Sequence, residues 1–67
     1  MDTNKVGSAG LPGWDDKMCQ TVAQQANDWT AEGDQRGDNG DIAGQSVAYQ
    51  ISANLESQVL SNCLVVE

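Results

Sequence analysis

The residues in this chain best placed to do chemistry are its two cysteines. Cys19 stands early and Cys63 late in a sequence of 67 residues. Three readings are open. The pair can form a Cys19–Cys63 disulfide, stay as two buried thiols, or supply a reactive thiol or metal ligand. Thiolate chemistry is helped by a helix start and by a cation, and Cys19 follows Lys17. The sequence has no histidine to act with it as a base, and no zinc-ligand spacing. A bridge is the leading reading. It closes a long loop and adds about 4 kcal/mol on a chain-entropy model. Against it stands the absence of a visible leader segment, which favours reduced thiols.

Carboxylates come next. Glu32, Asp34, Asp38, Asn39 and Asp41 place several oxygens within ten residues, the kind of set that attracts calcium. An EF-hand loop needs ligands at its first, third and fifth positions before a glycine. Aligned on Gly40, those positions hold Gln35, Gly37 and Asn39; aligned on Gly37, the fifth is Arg36. The spacing fails, so no metal is expected. Arg36-Gly37-Asp38 spells the tripeptide of integrin ligands, a match short enough to arise by chance. General acid–base work at neutral pH calls for histidine or a buried carboxylate. With no histidine and no phosphate-binding glycine pattern, the expectation is no enzyme, no cofactor and no small-molecule substrate.

Charge narrows the partners. Ten carboxylates face three cations, for a net charge of -7. Contacts to nucleic-acid phosphates need clustered Lys and Arg, and an anionic membrane repels such a chain. No run approaches the roughly 20 apolar residues that span a bilayer. The first residues lack an apolar core segment, so no signal peptide is read there. The expected compartment is the cytoplasm or the interior of a larger assembly.

The elements that position these residues are two helices. Met1 to Gly13, with Gly7, Gly10 and Pro12-Gly13, reads as a flexible or extended tail. From Trp14 to Trp29, Trp14, Met18, Val22, Ala26 and Trp29 step by three or four, which puts them on one helix face. Asp15 is the expected N-cap and Gly33 the expected C-cap. Asp34 to Asp41 reads as a loop. From Ile42 to Val66, a stretch with no proline and no glycine but Gly44, Ala48, Ile51, Leu55, Val59 and Cys63 recur at helical spacing. Val65 and Val66, two β-branched residues at the terminus, either fray or pair with a strand in a neighbour.

The expected fold is all-α: a tail over 1–13 and an antiparallel two-helix hairpin over 14–67. Between Ile42 and Val66 the one charged residue is Glu56. The polar side there is Gln, Ser and Asn, which tolerate burial against a protein better than ammonium groups do. A chain this short buries only about 60% of its unfolded surface and commonly needs a staple or a partner. The expected function is therefore a non-enzymatic structural or assembly module. It self-associates into a four-helix bundle or docks on a larger protein through Trp14, Met18, Val22, Trp29, Ile51, Leu55 and Val59. The alternative is a small acidic inhibitor of a basic site. An acidic hairpin with Trp29 near its turn resembles the small WXG-type secreted proteins. Their pattern needs Trp-x-Gly, whereas Thr30-Ala31 follow here, so nothing is carried over.

Overall fold

The structure, a computed structural model, describes residues 1–66 and is a rod of 41 × 18 × 17 Å. Two long helices, α1 (Asp16–Asp38) and α2 (Ile42–Asn62), form the antiparallel hairpin. A short 3-10 turn (Thr3–Lys5) precedes strand β1 (Val6–Ser8), which pairs with strand β2 (Cys63–Val65) at the other end of the chain.

Helix α1 starts where its capping chemistry says. The Asp15 carboxylate accepts from the Met18 backbone N–H at 2.8 Å. Trp14, just before the cap, packs on the core cluster that contains Cys19, the position of a hydrophobic staple. The expected end at Gly33 is corrected, because α1 runs five residues further, to Asp38. Gly33 sits inside the helix and is buried. A Cβ built there comes within 2.5 Å of the Tyr49 ring, so the missing side chain serves close packing rather than termination. Gly40, with φ +80°, supplies the left-handed residue that ends the helix. Asp41 N–H donates to the Arg36 carbonyl at 2.9 Å and Gly40 N–H to the Gly37 carbonyl at 3.0 Å. This is the Schellman pattern. The expected loop over 34–41 thus shrinks to Asn39, Gly40 and Asp41.

That shift bears on the bridge. With Gly33 as the end of α1, the arm from Cys19 to the turn is about 12 Å shorter than the arm from Asp41 to Cys63. With α1 extended to Asp38, the two arms match to about 4.5 Å. Cys19 and Cys63 form a disulfide with a Cα–Cα distance of 6.0 Å.

The N-terminal segment is extended, as expected, but it is tied to the chain's own C-terminal end. In the antiparallel ladder Val6 faces Val65, Gly7 faces Leu64 and Ser8 faces Cys63. Val66 N–H extends the pairing to the Lys5 carbonyl at 2.8 Å. The first turns of α1 satisfy groups on β1: the Asp16 carboxylate accepts from Ser8 N–H at 2.6 Å, and Gln20 donates to the Val6 carbonyl at 3.2 Å. The terminal ammonium of Met1 donates to Asn27 at 2.8 Å. The strand expected around Val65 therefore pairs within one chain.

Packing divides along the rod. At the end that carries the sheet, Val6, Cys19, Val22, Ala23, Val59 and Cys63 form the apolar core, with Trp14, Leu55 and Val65 laid against it. Toward the turn the contact is made by small residues: Ala26, Ala48 and Ser52 are all buried. The Ser52 hydroxyl donates to the Ala26 carbonyl at 2.8 Å and lies 2.6 Å from the Thr30 hydroxyl. A serine side chain reaches the facing backbone only when two helices run close together. Ser52, read from sequence as part of the polar face, is therefore a helix–helix contact.

Candidate functional site

The positions singled out as an interface divide into two groups. Val22 and Val59 are buried between elements of the same chain, so their apolar surface is already covered. Trp14, Trp29, Ile51 and Leu55 are half-buried, and Met18 is exposed. The periodic stripes close on each other because alanine, serine and glycine at the crossing let the helices approach.

What stays open is the opposite face of α2. At 100° per residue, Ile42, Ser46, Gln50, Ala53, Ser57 and Leu60 fall on the side away from Ala48, Ser52 and Val59. All six are exposed. Ile42 is 66% exposed and Leu60 65%, two of the most exposed large apolar side chains in the described structure. None of the six is charged, and Glu56 lies beside them, one turn before Leu60. A shallow groove of about 390 Å³, lined by Ile42, Gln45, Ser46, Tyr49, Gln50 and Ala53, runs along it. The missing charge is legible in the sequence, but Ile42 and Leu60 are not singled out there. Their signal is a separation of 18 residues, five full helical turns, too long for a periodicity read in steps of three and four.

Three of the four carboxylates considered for calcium are engaged elsewhere. Glu32 accepts from the Arg36 guanidinium at 2.9 Å. Asp41 caps α2, accepting from Gly44 N–H at 2.9 Å. Asp34 accepts a hydrogen bond from the Tyr49 hydroxyl. Among the described residues, no three metal-ligating side chains converge. Arg36-Gly37-Asp38 lies in the last turn of α1, not at a loop tip, and Arg36 also donates to the Gly44 carbonyl at 3.3 Å. That places the tripeptide in helix rather than in an extended display.

Tyr49 sits at the rim of the groove. Its hydrogen bond to Asp34 raises the phenol above the ordinary value of 10.0, and desolvation pushes the same way. Tyr49 is the chain's one tyrosine, so phenolate absorbance reads it alone. The bonded form is the protonated one. Its contribution to stability is full below the unfolded tyrosine value and is lost as pH rises through the raised folded value. Titration of the folded chain should give a midpoint above 10.0, and Asp34→Asn should return it toward that value. An unchanged midpoint in Asp34→Asn would remove Asp34 as the cause.

A second shallow groove, of about 380 Å³, lies along the sheet between Lys5, Gly7, Asp16 and Leu64. No helix among the described residues is long and apolar enough to cross a membrane. The sequence matches no protein-family model, and comparison with curated proteins and with solved structures gives no match.

Proposed function

We propose that this chain is a non-enzymatic assembly module, a bridged helical hairpin that docks on protein through the outer face of α2. One observation carries the reading. The chain has a net charge of -7, yet an exposed strip of a 21-residue helix, through Ile42, Ser46, Gln50, Ala53, Ser57 and Leu60, is uncharged. Exposed helix faces ordinarily draw on Glu, Lys and Arg. A face of amides, hydroxyls and isolated apolar side chains loses little when water leaves it, because it holds no ion to desolvate. With Val22 and Val59 covered inside the hairpin, this face is the surface left for a partner. The non-enzymatic part rests on the absence of histidine and on carboxylates that lie in solvent or serve as caps. The buried bridge supports maturation where thiols oxidise, in preference to the reducing cytoplasm expected from the sequence.

A photoreactive residue placed at Ser46 tests this in the cells that make the protein. The expected result is protein adducts from Ser46 and none from Gln35, an exposed position on α1. Adducts from Gln35 alone would overturn it.

A second reading, the acidic inhibitor, draws on the turn end of the rod. Asp34, Asp38 and Asp41 stand near the turn, where Arg36 is already paired with Glu32. Binding to a basic target through that end weakens as salt rises. Docking through α2 is nearly indifferent to salt, which separates the two.

A further inference from the structure

We infer that strand β1 is a lid over the Cys19–Cys63 bridge, so that a thiol can reduce the bond only after the N-terminal segment has lifted. The outer face of α2 plays no part in this. In the folded chain the bond is sealed: Cys19 has no exposed surface and Cys63 is 7% exposed. Reduction needs a thiolate to attack one sulfur of the bond. The attacking sulfur joins that cysteine, and the other cysteine leaves as a thiolate and takes up a proton. A second thiol of the reductant then displaces the first. The protein gains two thiols, and the two reductant sulfurs end as a disulfide. Carrying a thiolate out of water into an apolar cluster is costly, so neither sulfur is reached while the cluster is closed.

One wall of that cluster is free to move. Val22, Ala23 and Val59 belong to α1 and α2, the helices that the bridge itself joins. Val6 belongs to β1, whose Ser8 lies opposite Cys63 in the ladder. From α1, β1 is held by Asp16, which accepts from Ser8 N–H, and by Gln20, which donates to the Val6 carbonyl. Both of these side chains belong to exposed residues. The connector behind β1, residues 9–13, is exposed throughout, and a Cβ built at Gly10 or Gly13 meets nothing within 4 Å. A three-residue strand with exposed fastenings and a free hinge opens at lower cost than two paired helices.

The coupling runs both ways. The bond holds Cys63 where β2 can pair with β1, and β1 seals the bond. A chain bridged where thiols oxidise therefore keeps its bridge when thiols surround it, until the segment is lifted.

The test follows reduction of the full chain by dithiothreitol, below the melting transition. It is read as the mass gained when iodoacetamide caps the freed thiols, and Cys19 and Cys63 are the only cysteines. Circular dichroism checks that each variant folds. The folded wild-type chain should lose its bond on the order of a hundredfold more slowly than the same chain in denaturant. Val6→Ala shrinks the buried anchor of β1 and should react about tenfold faster than wild type. Gln20→Ala removes one fastening from an exposed position and should react about fivefold faster. Ser52→Ala weakens the helix crossing and leaves β1 alone, so its rate should stay within about twofold of wild type. Thiols capped before any reductant is added would overturn the bridge. A folded chain reduced as fast as the denatured one would overturn the seal. Rates in Val6→Ala and Gln20→Ala that match wild type would overturn β1 as the lid. So would a Ser52→Ala rate raised as much as that of Val6→Ala, because the bond would then be reached by unfolding of the whole chain.

Discussion

Replacing both halves of the Cys19–Cys63 bridge by alanine lowers the melting temperature by at least about 15 °C, and at 37 °C most of the chain is unfolded. The bridge joins residues 44 apart in sequence, and a loop of that length corresponds to about 4 kcal/mol in the chain-entropy account. Small domains are stable by only a few kcal/mol more than this. Position sharpens the effect. Cys19 is fully buried and Cys63 nearly so, both within the apolar cluster. Without the bond β2 is held by three residue pairs. Once β2 leaves, β1 loses its partner and Val6 its cover. Helix signal against temperature, with and without a phosphine reductant, measures the loss. A shift under about 5 °C would mean that the hairpin stands on packing alone.

Ala26→Leu should be the most damaging single substitution away from the bridge, at about 3 kcal/mol. Ala26 and Ala48 are wholly buried where the helices cross, and the Ala26 carbonyl accepts the Ser52 hydroxyl. Three added carbons have no space there. The helices must separate, which breaks the contacts among Ser52, Thr30 and Ala26, each worth about 1 kcal/mol. Thermal melting with the bridge intact should fall by on the order of 15 °C. Ala31→Leu, on the exposed side of the same helix, is the control and should stay within about 0.5 kcal/mol. If Ala26→Leu melts like the control, the close crossing is wrong.

Much of this architecture is legible in the residues. The hairpin, the Asp15 cap and the approach of Cys19 to Cys63 follow from local rules and helical periodicity. Gly33 misleads because a glycine late in a helical run reads as a stop. Its purpose depends on Tyr49, sixteen residues on, which no local window contains. Strand β1, and the pairing of β2 with it, are illegible for a related reason. Val6-Gly7-Ser8 has little strand character, and its partner lies at the far end of the chain. The apolar stripe does mark the face that is buried. Whether it meets its own sister helix or another molecule depends on how closely the helices approach, which Ala26, Ala48 and Ser52 decide. The α2 face is only half visible: its missing charge is compositional, while Ile42 and Leu60 stand out only once the opposite side of the helix is known to be covered.

The ladder between the two ends of the chain also determines how the molecule answers a mechanical load. A pull on both termini peels β1 from β2 one pair at a time, the weak direction for a sheet. The tension then reaches the covalent bond between Cys19 and Cys63 and passes straight across it. Only the segments outside the bridge can lengthen, about 75 Å of a contour of roughly 230 Å. Both helices beyond the bridge, with the uncharged strip of α2, stay outside the path of the force. Tethered by its ends, the hairpin keeps the outer face of α2 intact under strain.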